Sequence, residues 1–381
     1  MATALTGGEI LNGQGFVRGL GVVVDGDRIT AILPEAEALA RADARHDLEG
    51  GRLVPGFIDT QVNGGGGVLF NDDLTADAVA AIGAAHRRFG TTGFLPTLIS
   101  DDLDAIDRAM RAVEQAIDAG VPGVLGVHIE GPFLSAARAG IHDKAKFRLL
   151  DARARDLLCS LRVGKTLVTL APELTDAGMI ADLTSAGVIV AAGHTDATYE
   201  EMRAALDAGV TGFTHLFNAM SPLTTRAPGV VGAALIDDRG YCGIIVDGRH
   251  VHPAALTLAM RAKPLDRFML VTDAMPSVGL AEKTFQLQGQ TITVEDGVCV
   301  APDGTLAGSD LDMATAVRNT VDLLGLDPVT ALRMASLHPA QFLGLDHLRG
   351  RVSPGQKADL VLLDSAGQAV ATWIDGQVER A

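Results

Sequence analysis

The sequence is poor in three things, and each scarcity excludes a class of function. It has three cysteines in 381 residues, Cys159, Cys242 and Cys299, widely spaced and outside any CxxC pattern. An odd set so placed supports neither a disulfide framework nor a cysteine metal site, and it reads as buried thiols in a reducing cytoplasm. Basic residues are also scarce: 31 Lys and Arg face 47 Asp and Glu, for a net charge of −16. Nucleic-acid binding rests on phosphate neutralisation by clustered Lys and Arg, so no nucleic-acid partner is expected. An anionic ligand would have to be met by a few local cations. Finally, no apolar run approaches the roughly 18 residues of a spanning helix. The opening MATALTGGEILNGQG has neither the basic nor the apolar region of a signal peptide. No membrane partner and a cytoplasmic location are the expectations.

Apolar material is plentiful, at 48% of residues against 20% charged, so a sizeable core is expected. Both ends read as short strands broken by turns. VVVDGDRIT and VATWIDGQVERA each place Asp-Gly between β-rich runs, a hairpin signal. The pattern predicts one small β-sandwich domain assembled from residues 1–53 and 351–381. Between them, over 54–350, apolar runs alternate with Ala-rich helical segments such as TADAVAAIGAAHRRFG. The candidate strands are LVPGFID, TGFLPTLI, GVLGVHIE, TLVTLAPE, GVIVAAGH, GVTGFTHL, CGIIVDG and RFMLVTDA. Eight such units predict an α/β fold, a (β/α)8 TIM-like barrel. A doubly wound sheet is the runner-up, but no GxGxxG follows the first strand.

The apolar runs finish in chemically capable groups: Asp59, Glu130, His194, His215, His250 and Asp273. In a barrel the C-terminal strand ends form one face, so these side chains converge. His128 and Glu130 are two apart and point the same way on a strand. A lone strand-end histidine is ordinarily a satisfied rim residue. Two of them with a carboxylate form a His₂Glu set suited to a catalytic metal ion with an open position. Asp273, alone, reads equally as a helix cap; beside a metal it suits proton transfer. His142 in GIHDKAKF lies on the long loop after Glu130, where a histidine is usually just solvated.

These stretches resemble a known family. PGFID, the Glu/His/His set, the aspartate of the eighth strand and the closing SPGQKADLVLLD resemble the amidohydrolase superfamily. More narrowly, HIEGPF, AAGHTDAT, THLFNAMSPL, DGRHVH, LVTDAM and GTLAGS resemble the N-acetylglucosamine-6-phosphate deacetylase family. The likeness runs through nearly the whole chain, with the motifs in the family's order. The resemblance implies one divalent metal ion per subunit, zinc or ferrous iron, held by Glu130, His194 and His215. It implies Asp273 as general base and then acid, and His142 as the group that polarises the acetamide carbonyl. Ile141 falls beside His142 in the implied substrate site. Asn218 and Ala219 would bind the substrate phosphate, and Arg226 and His250 match cations that also face it. Ala307, Gly308 and Ser309 match a loop lying over the sugar. The implied partner is a phosphorylated amino sugar, and the implied assembly is a homodimer with a phosphate contact across the interface. The implied reaction converts N-acetyl-D-glucosamine 6-phosphate to D-glucosamine 6-phosphate and acetate.

The stretch LVPGFIDTQVNGGGG departs from the superfamily pattern. Many amidohydrolases end the first strand in His-x-His, which holds a second metal ion; here the positions are Gln61 and Asn63. Neutral amides are poor transition-metal ligands beside imidazole, so these are expected to be vestigial positions and the second site weak or empty. The glycines would let the backbone turn away beneath the pocket. The alternatives are an amidohydrolase acting on a related N-acetyl amino-sugar phosphate or a cyclic amide, and a non-enzymatic scaffold. A carbamate-bridged enzyme needs a lysine on the fourth strand, where Glu173 follows TLVTLAP instead. A scaffold has no need of the full Glu–His–His–Asp set.

Overall fold

The computed structural model describes residues 1–13 and 15–380; Gln14 and Ala381, both inside the ranges expected for the terminal domain, lie outside the described residues. Eight parallel strands pair in chain order: β1 (Phe57–Val62), β2 (Thr91–Ile99), β3 (Gly126–Glu130), β4 (Lys165–Leu170), β5 (Ile189–Ala192), β6 (Gly212–Phe213), β7 (Tyr241–Ile244) and β8 (Phe268–Leu270). The ring closes just beyond β8. There the Asp273 N–H donates to the Gln61 carbonyl at 3.0 Å, and Val62 bridges Ala274. The expected (β/α)8 barrel is therefore present, with seven predicted strands in place and the first entering only from Phe57. Each strand of β1 and β2 is buried along its whole length, which is why they read as unbroken apolar runs. The intervening helices start on polar caps. Thr75, Asp102, Asp151 and Thr198 accept from backbone N–H groups that the first turn would otherwise leave unpaired.

One end of the barrel is plugged. Phe342, from the helix Leu337–Phe342, joins an apolar cluster with Ile58, Leu95, Leu167 and Met269 inside the strands. A Cβ on Gly212 would meet the Phe342 ring at 2.9 Å, so a side chain at this position on β6 would displace the plug. Only the rim at the C-terminal strand ends is left for a ligand.

The chain ends form two sheets around a shared core of Leu5, Ile10, Val22, Leu53, Leu360 and Trp373. One has four strands and the other six. The predicted sandwich is thus observed, with one difference. LVPGFID is two strands: Arg52–Pro55 pairs with Glu9–Asn12 and Leu360–Leu363 in the terminal sheet, and only Phe57 onward enters the barrel. A second difference is an insertion. Residues Thr284–Leu287, Gln290–Glu295, Val298–Val300 and Leu306–Ser309 form a four-stranded antiparallel sheet between β8 and the helix Met313–Leu324. Leu287, Ile292 and Ala307 pack with Leu69, Ile99 and Met275, which seats this sheet on the barrel rim. The expected loop at 307–309 is therefore a strand.

Candidate active site

Glu130 ends β3, while His194 and His215 sit just past β5 and β6. His194, His215 and Asp273 have φ of 48°, 33° and 53°. That left-handed backbone is unfavourable for a side chain with Cβ and clusters at functional sites. It turns the chain sharply at three strand ends. The three metal-capable atoms converge: Glu130 Oε1 lies 3.0 Å from His215 Nε2 and 3.2 Å from His194 Nε2. The two imidazole nitrogens stand 3.1 Å apart. Among the described residues this is the one His/Cys/Asp/Glu cluster with ligand atoms close enough together to hold a metal ion. His194 Nδ1 donates to the Arg138 carbonyl at 2.9 Å, so Nε2 presents its lone pair to the cluster. All three side chains are nearly fully buried. Burial alone would push the Glu130 carboxyl up, but the adjoining His194 and His215 imidazoles hold it well below its ordinary value. Burial opposes the charged form of His215 too, yet Glu130 raises its pKa.

Asp273 stands opposite. Its Oδ1 accepts from Asn63 Nδ2 at 2.7 Å and from Gln61 Nε2 at 3.1 Å, while Gln61 Nε2 also reaches Glu130 Oε2 at 3.1 Å. Burial, and then the Glu130 charge, raise the Asp273 carboxyl above its ordinary range. Behind them Asp59 is fully buried, accepting from Gln61 N at 3.1 Å and from the Thr272 hydroxyl at 2.5 Å. Burial pushes its carboxyl up to about 7. A second polar chain crosses the barrel under the cluster. His128 meets Thr169 Oγ1 at 2.7 Å, and Thr169 meets Thr214 Oγ1 at 2.6 Å.

A cavity of about 380 Å³ opens over these groups, lined by Asn63, Glu130, Ile141, His142, His194, His215, Asn218, Ala219, His250, Asp273, Ala307 and Gly308. His142 Nδ1 accepts from the Ser100 backbone N–H at 3.3 Å, and Ser100 Oγ lies 2.8 Å away. This leaves the ring proton on Nε2. Burial, then the neighbouring His194, lower its pKa to about 3, so His142 is neutral near pH 7. The "solvated loop histidine" expectation is thus replaced by a buried, oriented one. His250 Nδ1 pairs with Asp247 Oδ2 at 2.5 Å.

Two expected contacts are not made in the cavity. Ser309 is fully buried with its hydroxyl donating to the Thr272 carbonyl at 2.6 Å, and it does not line the cavity. Arg226 lies exposed in the segment before the helix Gly229–Ile236 and does not line its own chain's cavity.

The glycines also answer differently from expectation. Gly64–Gly65 and Val68–Leu69 form a tight antiparallel pair, and Gly64 N donates to the Ala274 carbonyl at 3.0 Å. A Cβ on Gly64 would lie 2.4 Å from the Val68 carbonyl oxygen, and one on Gly65 2.8 Å from His86 Nε2. What they approach is protein: the chain just past β8 and the first barrel helix. They close the barrel seam beside Asn63 rather than line the pocket floor.

Sequence reading missed several cavity residues. Arg138 and Lys144 lie in the wall; Arg138 is paired with Asp196 at 2.8 Å. The signal for Lys144 was a cation two residues from His142 in the same loop. Glu173 has a role as well: it accepts from Thr195 Oγ1 at 2.5 Å and Asp196 N at 2.7 Å, fixing the turn that carries His194.

A barrel with a His/His/Glu cluster and a free carboxylate on its open rim is the architecture of the metal-dependent hydrolases. Residues 52–378 match the Amidohydrolase family. The chain belongs to that family. An N-acetylgalactosamine-6-phosphate deacetylase of Shewanella sp. (strain ANA-3) is 45% identical, over 88% of this chain and 86% of its own. The N-acetylglucosamine-6-phosphate deacetylase of Homo sapiens is 40% identical, over 98% of this chain and 93% of its own. The crystal structure of the N-acetylglucosamine-6-phosphate deacetylase from Pasteurella multocida superposes with a TM-score of 0.96, at 35% identity and with both chains covered completely. The resemblance drawn from the motifs is borne out. No helix among the described residues is long and apolar enough to cross a membrane.

Proposed function

We propose that this protein hydrolyses the N-acetyl group of N-acetyl-D-glucosamine 6-phosphate, giving D-glucosamine 6-phosphate and acetate. The observation that carries the reading is the placement of Glu130, His194 and His215 in one cavity wall with Asp273 and a neutral, oriented His142. The donor set fits a divalent ion. Two imidazole nitrogens and a carboxylate oxygen crowd within about 3 Å, and His194 holds its other nitrogen on a carbonyl. We infer zinc, with ferrous iron the alternative. Bound there, the ion would polarise the acetamide carbonyl and lower the pKa of a water.

The chain's own residues supply the rest. Asp273, with Oδ1 taken by two amides, takes a proton from the attacking water on Oδ2 and returns it to the departing amine. His142 donates its Nε2–H to the carbonyl oxygen as negative charge develops there. Asn218, Ala219 and His250 are assigned to the phosphate, and Ile141, Ala307 and Gly308 to the sugar. Arg226, exposed on its own chain, is assigned to the phosphate of a neighbouring subunit in a homodimer. Three free thiols support a reducing, cytoplasmic setting.

A second reading, the galacto epimer of the same substrate, is favoured by the Shewanella relative. Amine release should be measured with both epimers and with unphosphorylated N-acetylglucosamine at equal concentration. Fast release from the gluco phosphate ester, and slow release from the free sugar, is expected. Preference for the galacto ester selects the second reading, and no release from any of them, by protein holding metal, defeats both.

A further inference from the structure

We propose that Gln61 and Asn63 are positioning residues, which hold Glu130 and Asp273 in register by amide hydrogen bonds. The inference rests on the proposed metal-dependent hydrolysis. Two buried carboxylates face each other across the rim, and among the described residues neither pairs with a lysine or arginine. Left alone, they would repel and swing apart. Gln61 Nε2 sits between them, 3.1 Å from Glu130 Oε2 and 3.1 Å from Asp273 Oδ1. The orientation of the amide is fixed by its surroundings: a carboxylate only accepts, so the NH₂ must face both acids. Asn63 Nδ2 adds a third bond, 2.7 Å from the same Asp273 oxygen.

The backbone holds these amides as firmly as they hold the acids. Gln61 and Asn63 are each 2% exposed. The Gln61 carbonyl accepts the Asp273 N–H, the Asn63 N–H donates to the Ala274 carbonyl, and Gln61 N donates to Asp59 at 3.1 Å. The end of β1 is thus tied to the end of β8 through main chain and side chain together. Two consequences follow from which oxygens are used. Gln61 takes Oε2 of Glu130 and leaves Oε1 toward the histidines. The pair of amides takes Oδ1 of Asp273 and leaves Oδ2 to carry a proton. Neutral donors do this without adding charge, which a second cation would. The amides expected to be vestigial are therefore a working part of the site.

Gln61 touches both acids and Asn63 only one, so their removal should separate. Zinc affinity, read by competition with a chromophoric chelator, and steady-state kinetics at saturating zinc test this. Gln61→Met, which keeps volume and deletes the donor, should weaken zinc binding by about 10- to 100-fold. It should also lower kcat by about tenfold or more with KM little changed. Asn63→Leu should lower kcat similarly and leave zinc affinity at the wild-type value. Wild-type zinc affinity in folded Gln61→Met overturns the proposal, as does an unchanged kcat in Asn63→Leu. If Gln61→Met fails to fold by circular dichroism, the Asn63→Leu result decides. The zinc titration needs no substrate, so a wild-type protein that binds zinc and releases no amine defeats the proposed function and leaves this inference standing on its own readout.

Discussion

Asp237 and the acids of the rim are buried carboxylates that the molecule treats in opposite ways. On the far side of the barrel wall, Asp237 closes the helix Gly229–Ile236 with its side chain 4% exposed. Arg239 meets it at 2.6 Å and Arg203 at 3.0 Å. Burial opposes ionisation there, but the arginine bonds win and hold its carboxyl below the ordinary range. At the rim, Glu130, Asp273 and Asp59 are offered histidines, amides and a threonine, and no arginine or lysine pairs with them among the described residues. Two of these three carboxyls, Asp59 and Asp273, are pushed up rather than down. A fold that can supply arginines to a buried acid withholds them where the proposed function calls for a ligand cation and a moving proton. Neutral partners orient the acids without quenching them.

Breaking the rim should be far more costly to turnover than breaking the wall. Asp273→Asn keeps an acceptor for Asn63 and Gln61 but cannot carry the proton. Its kcat should fall about 10²- to 10⁴-fold with one metal ion still bound per chain; a loss under threefold would break the comparison. Next comes a pH effect. Native Asp59 keeps its proton to about pH 7, whereas the unfolded carboxyl releases it near 3.8. Between those values the native state binds more protons, so its stability falls as pH rises. Relative to Asp59→Asn, the wild type should lose up to about 1.4 kcal/mol per pH unit across that window in urea titrations. A flat difference would mean that Asp59 is ionised in the fold. Asp237→Ala should cost about 2 kcal/mol of stability through the lost charged hydrogen bonds, with kcat unchanged. The smallest effect belongs to Arg226→Ala, with KM raised about threefold to tenfold and kcat within twofold, if it binds ground and transition states equally.

What was legible in the sequence tracks how locally each feature is encoded. Barrel strands such as TGFLPTLI announce themselves because burial on both faces leaves no charged residue in the run. The Glu130, His194 and His215 cluster is legible because each member closes such a run. The insertion at 284–309 was missed: its strands run only three to six residues and half face outward, though Asp296-Gly297 marked one turn. The split at Pro55 and Gly56 was missed because both strands are apolar and the sheet change falls within one continuous run. The role of Gln61 was not legible at all. Its partners lie 69 and 212 residues away, and only the closed ring brings β1, β3 and β8 together. Sequence placed Arg226 by motif, but its own chain leaves it outside the cavity.

On the proposed function, the rim acids are left for one ligand cation, with amides in place of a second. Calorimetric titration of metal-free protein with zinc tests it directly. One tight site per chain, lost in His215→Ala, is the predicted result; two tight sites, or none, would contradict it.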